Sequence, residues 1–214
     1  MKKGLTEVVF IIDKSGSMSG LEADTIGGYN SFLKKQKEEE GEAVITTVLF
    51  DNNYELLHDR INVKGVNYIT DKDYFVEGTT ALLDAIGKSV MKIRNVQKNT
   101  AEEEKAENVI FVIITDGMEN ASREFSESKI KSIIEHQKKK YNWEFIFLGA
   151  NIDAITTAKY YGIAENRAVN YSADKEGTLL NFDVVCNTIS SVRQKKGILE
   201  NWSEKIKSDF ESKR

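Results

Sequence analysis

The sequence predicts a three-layer, doubly wound α/β fold with a Rossmann-like, mostly parallel sheet of six strands, one of them an antiparallel edge strand. Three observations predict it. Val8–Ile12 and Val109–Ile114 are unbroken apolar runs bounded by polar turns, the pattern of strands buried on both faces. Such runs alternate along the chain with amphipathic helical patterns, which places helices on both faces of one sheet. Asp51-Asn52-Asn53 is too short a connection to join parallel strands, so the strands around it form a hairpin at one edge.

The elements follow in order. A strand over 6–12 leads into a helix from about Gly20 to Glu39, with Ile26, Tyr29 and Leu33 on one face. Gly27 and Gly28 inside that helix each cost about 1 kcal/mol relative to Ala, and close packing against the sheet is the expected reason. Val44–Phe50 and Tyr54–Arg60 are the hairpin strands. Residues 61–79 form a long connection, which Tyr68, Tyr74 and Phe75 are expected to pin down. Leu82, Ile86, Val90 and Ile93 mark a helix from about Thr80 to Val96. Residues 97–107 are a charged surface connection before the second buried strand. Ser126 to Lys139 is helical, and Lys138-Lys139-Lys140 closes it with cations that suit the helix dipole. Phe145–Leu148 is the next buried strand. Asn151 or Asp153 caps a short helix stopping at Gly162, and Ala168–Tyr171 is a weak last strand. Asp174–Lys196 is a long helix with Phe182, Val185, Cys186, Ile189 and Val192 inward. Gly197 breaks it. Ile198, Trp202, Ile206 and Phe210 then form a stripe at helical spacing. The expected organisation is one domain over residues 1–196 and a helical extension over 197–214.

Composition narrows the function classes. The chain has 214 residues, 40% hydrophobic and 30% charged, with a net charge of −4. Lys and Glu are finely mixed, which argues against a nucleic-acid face. No apolar run reaches the length of a membrane span, and the apolar run behind the amino terminus is too short for a signal peptide. A cytoplasmic location is the default expectation. Cys186 is the only cysteine, so no intramolecular disulfide forms, and it reads as a core residue.

Three loops at strand carboxyl ends carry the informative chemistry, the place where open α/β sheets bind ligands. The first is Asp13-Lys14-Ser15-Gly16-Ser17, the second Gly78-Thr79-Thr80, and the third Thr115-Asp116-Gly117. Asp-x-Ser-x-Ser alone reads as a turn. Adjacent central strands, however, would bring Asp13 and Asp116 together with the hydroxyls of Ser15, Ser17 and a threonine. Two carboxylates so placed repel unless one takes up a proton or a cation joins them. An all-oxygen set suits a hard divalent ion, Mg²⁺ or Mn²⁺, that keeps net positive character and can accept a carboxylate from another molecule.

On these residues the chain resembles the von Willebrand factor type A (VWA) domain with its metal-ion-dependent adhesion site (MIDAS), over residues 6–195. That resemblance implies metal ligands at Asp13, Ser15, Ser17, Thr80 and Asp116, with strand order 3-2-1-4-5-6 and the third strand antiparallel. Many members have Gly-Gly-Thr where this chain has Gly78-Thr79-Thr80. Thr80 fits the spacing to Leu82 and Asp84, and Thr79 stays an alternative. Extracellular members often carry cysteines near the domain ends, so this chain looks more like the intracellular bacterial members. The implied function is a metal-dependent protein-binding module, not an enzyme, that engages an Asp or Glu of a protein partner, with neither nucleic acid nor membrane involved.

Two other classes compete. One is a VWA subunit of a larger ATPase or chelatase-type complex. The other is Mg-dependent phosphoryl transfer from Asp13, but the second acid that chemistry wants two residues on is Ser15. No nucleophile elbow, phosphate loop or dinucleotide motif is present. His58 and His136 are expected to be surface residues.

Overall fold

The computed structural model describes residues 1–214. Six strands form one sheet: β1 (Lys2–Asp13), β2 (Glu42–Phe50), β3 (Tyr54–Asn62), β4 (Ala106–Thr115), β5 (Glu144–Gly149) and β6 (Ala168–Asn170). The spatial order is β3-β2-β1-β4-β5-β6, and β2–β3 is the one antiparallel pair. The helices are α1 (Glu22–Glu38), α2 (Leu82–Asn99), α3 (Glu127–Tyr141), α4 (Ala154–Tyr160), α5 (Lys175–Arg193) and α6 (Glu204–Ser212).

The period-two geometry of β1 divides the core. Val8, Phe10 and Ile12 face a cluster with α1, α5 and α6, while Val9 and Ile11 face α2, α3 and α4. This is why β1 and β4 read as continuous apolar runs: both faces are covered. β1 and β4 are direct neighbours, with Ile12 paired to Ile114, so their carboxyl ends emerge side by side. Ser126, Asp153 and Asp174 cap α3, α4 and α5 by accepting backbone N–H groups. No helix is long and apolar enough to cross a membrane.

Four local expectations are corrected. His58 is buried, not on the surface. Its Nδ1 lies 3.0 Å from Thr47 Oγ1, and its ring stacks on Tyr29 at 6.4 Å. A bulge in the β2–β3 pairing around Thr47 turns it inward. Gly28 makes room for Phe182 of α5 rather than for the sheet, since a Cβ there would meet that ring, and Gly27 faces open space. Of the three aromatics in the long connection, Tyr74 is buried while Tyr68 and Phe75 are exposed. The apolar stripe after Gly197 is only partly helical. Residues before Ser203 turn, and α6 begins at Glu204, yet Trp202 and Ile206 still join the α1–α5 side of the core. Trp202 Nε1 donates to the Asn166 carbonyl at 2.8 Å, which fixes the ring in place.

Candidate functional site

Asp13 closes β1 and is fully buried. Its carboxylate is held from two sides. Ser15 N–H donates to Oδ1 at 2.7 Å, and Thr115 Oγ1, at the end of neighbouring β4, donates to Oδ2 at 2.6 Å. Tyr74 Oη donates to the Asp13 carbonyl at 2.7 Å and ties the long connection beneath the loop. Burial nevertheless pushes the Asp13 carboxyl above its ordinary value, against the hydrogen bonds from Ser15 and Thr115.

The hydroxyls form a chain. Thr80 Oγ1 donates to Ser15 Oγ at 2.9 Å, and Ser15 Oγ lies 3.1 Å from Ser17 Oγ. Thr80 is buried and Thr79 is exposed, so it is Thr80 that meets the serines. Thr80 precedes α2 rather than opening it, and the 117–122 loop clamps it. Asn120 Oδ1 accepts from Thr80 N–H at 2.9 Å, and the Thr80 carbonyl accepts from the N–H groups of Asn120 and Ala121.

Asp116 follows β4 and is 2% exposed. Its Oδ1 is buried and has no hydrogen-bond partner. An orphaned buried carboxylate oxygen is costly. Burial first, and then the Asp13 charge, push this carboxyl up to about 6, with the Ser17 and Asn151 side chains pulling the other way. Gly117 is required by close approach, since a Cβ would lie 3.0 Å from Ser17 Oγ and 3.4 Å from Thr80 Oγ1. Asp13, Ser15, Ser17, Thr80 and Asp116 are therefore gathered at one end of the sheet, from three loops. Two acids, one of them with an unpartnered oxygen, and three hydroxyls make a donor set that fits a hard divalent cation.

Several supporting residues escape a reading of the sequence. Glu119 accepts from the N–H groups of Leu83, Ala121 and Ser122 and from Ser122 Oγ, fixing the third loop to the start of α2. Asp84 accepts from the N–H groups of Arg123, Glu124 and Phe125. Lys14, inside the first loop, is buried and paired with Glu55 of β3 at 2.9 Å. Lys14 and Asp84 find their partners some 40 residues away, and the bond of Glu119 that reaches α2 comes from Leu83, so no local pattern marks these contacts. His136 sits on α3 near its carboxyl end, exposed.

No family model matches the chain, and no curated protein is similar to it in sequence. Solved structures are similar in fold. The D319A mutant of the PilB minor pilin from Streptococcus sanguinis superposes with a TM-score of 0.62 at 12% identity, over 90% of this chain and 63% of that one. The vWF domain of the type V pili tip protein Mfa5 from Porphyromonas gingivalis gives 0.61 at 14% identity, over 91% and 98%. Proximal thread matrix protein 1 from the mussel byssus, with a zinc-occupied MIDAS motif, gives 0.56 at 12% identity, over 86% and 46%. The chain thus spans less than two thirds of the pilin and under half of the mussel protein. Sheet order, the single antiparallel edge pair and these superpositions agree: the chain has the von Willebrand factor type A fold.

Proposed function

We propose that this protein is a divalent-metal-dependent protein-binding module rather than an enzyme. In this reading Asp13, Ser15, Ser17, Thr80 and Asp116 hold Mg²⁺ or Mn²⁺, and the partner is a protein presenting an Asp or Glu. The observation that carries it is the buried, unpartnered Oδ1 of Asp116, one loop away from the buried carboxylate of Asp13. A bound divalent cation would relieve that repulsion and offer a coordination position to a carboxylate from outside. The chain's own residues supply the rest. Thr115 and Ser15 hold Asp13 in one orientation. Asn120 holds Thr80 against Ser15, and Gly117 leaves room for Ser17 and Thr80. The mussel protein of similar fold carries zinc in the corresponding kind of motif, which supports a divalent ion.

Thermal melts in Mg²⁺ and in EDTA test this for wild type, Asp13→Ala and Asp116→Ala. A ligand that binds only the native state raises its stability, so wild type should gain with Mg²⁺ and both variants should not. An equal metal-induced shift in all three proteins refutes the assignment.

A further inference from the structure

A hollow of about 630 Å³ lies at the other end of the sheet from the oxygen-rich loops. It sits at the amino ends of β4 and β5, between the carboxyl-terminal turns of α2 and α3. That volume is in the range of small-molecule sites. Its walls carry four cations, Arg94, Lys98, Lys105 and Lys140, against two acids, Glu102 and Glu107, although the chain as a whole is at −4. Both acids are engaged. Glu102 holds Lys105 at 2.7 Å, and Glu107 accepts from Gly4 N–H at 2.6 Å. Arg94 reaches only the Met91 sulfur, at 3.6 Å, and Lys140 only the Tyr141 ring, at 5.1 Å. Lysines at helix ends suit the dipole, which by itself accounts for Lys98 and Lys140. It does not account for Arg94, more than a turn inside α2, or for two further features of the wall. The first is an aromatic column running out of the core. Phe145 stacks on Phe111 at 4.8 Å, Phe111 on Trp143 at 5.6 Å, and Tyr141 lies 6.3 Å beyond Trp143. Asn142, in the left-handed conformation, fixes the turn between those last two rings. Trp143 is buried while Tyr141 is 48% exposed, so the column ends on a ring open to solvent. The second feature is Gln137, 1% exposed on the inward face of α3, whose Oε1 has no hydrogen-bond partner. An unmet buried amide oxygen is costly, and what it accepts is an N–H or O–H.

We propose that this hollow binds a small aromatic anion bearing N–H donors, the chemistry of a nucleotide. The anionic group meets Arg94, Lys98 and Lys140, whose charges no acid of the wall offsets. The ring extends the aromatic column beside Tyr141 and Trp143, where planar groups pack favourably. An N–H on the ring edge donates to Gln137 Oε1. Each of the three parts selects against a ligand lacking it: a nucleoside has no anion, and inorganic phosphate has no ring. The hollow shares no residue with the candidate metal site and needs no divalent ion, so this proposal stands apart from the metal-dependent reading.

The test is calorimetric titration of the full chain, in EDTA at low salt, with adenosine, guanosine, cytidine and uridine monophosphates. At least one should bind with a Kd below about 1 mM, and about tenfold or more tighter than its own nucleoside or inorganic phosphate, the scale of one charged hydrogen bond. In ¹H–¹⁵N spectra that nucleotide should move the indole N–H signal of Trp143, in the wall of the hollow, and leave that of Trp202, bonded to Asn166, in place. The double variant Arg94→Gln, Lys140→Gln changes two exposed residues and should weaken the nucleotide by about tenfold or more. Gln137→Leu should melt no earlier than wild type, since it removes an unmet polar atom, yet bind the nucleotide more weakly. If Gln137→Leu fails to fold, the exposed double variant decides. The proposal is overturned if no nucleotide binds below about 1 mM, or if inorganic phosphate binds equally well. It is also overturned if binding needs Mg²⁺, if the Trp143 signal does not move, or if the double variant binds as wild type does.

Discussion

Replacing Asp116 by Asn should stabilise the metal-free protein at neutral pH. The Asp116 carboxyl is held at about 6 against an ordinary 3.8 by burial and by Asp13. Keeping it ionised in the folded state therefore costs up to about 3 kcal/mol above pH 6. Screening and relaxation in the metal-free site bring the expected gain from Asn to about 2 kcal/mol. The sign is set by linkage. Below about pH 4 both folded and unfolded chains carry the protonated acid and the penalty vanishes; it grows as pH rises from about 4 to 6 and is complete above. In EDTA at pH 7.5, Asp116→Asn should melt roughly 4–8 °C above wild type for a chain of this size. The difference should shrink at pH 4.5. Saturating Mg²⁺ should narrow or reverse it, since wild type gains about 2.7 kcal/mol at a hundredfold excess over Kd and the variant gains far less. The reasoning is refuted if the variant in EDTA is no more stable than wild type at pH 7.5, or if its advantage is the same at both pH values.

Other predictions concern what surrounds the site. Thr115→Val removes the 2.6 Å bond to Asp13 Oδ2 and should weaken Mn²⁺ binding while costing about 1.5–3 kcal/mol in denaturant melts; unchanged Mn²⁺ affinity would show that Asp13 needs no such support. Arg193 of α5 donates to Gln36 and to the carbonyls of Glu39, Glu40 and Gly41, capping the end of α1. Arg193→Met should therefore cost about 2–4 kcal/mol and raise hydrogen exchange at 34–41 in particular; a uniform rise would contradict a capping role. Residues 197–214 are proposed as an extension to a domain over 1–196, and their deletion would uncover the surface under Trp202 and Ile206. The truncated chain should bind more hydrophobic dye and melt earlier, and unchanged melting would make the segment a mere tail.

Much of the fold was legible because its signals are local. Continuous apolar runs mark β1 and β4, the three-residue Asp51–Asn53 turn dictates an antiparallel pair, and capping residues mark helix starts. Asp13, Ser15, Ser17 and Asp116 were legible for the same reason, since they sit at the abrupt change from strand to loop at the ends of adjacent β1 and β4, whereas Thr80 lies just before α2, far along the connection from β3. The helical stripe after Gly197 misled at its start because four-residue spacing survives a turn when the tertiary surface beneath is continuous. There Trp202 packs on the α1–α5 side of the core and donates to the Asn166 carbonyl.

The amino-acid sequence by itself determined the α/β class, the hairpin edge and the oxygen-rich loops, since periodicity and turn chemistry belong to consecutive residues. Only the tertiary structure decided that Thr80 rather than Thr79 meets Ser15, and that Asn120 and Glu119 brace that contact. It alone turned His58 inward, fitted Gly28 to Phe182 and left Asp116 Oδ1 without a partner. Each of these depends on distances between groups far apart in the chain, set by how two helical layers close on one twisted sheet, and no local pattern encodes such distances.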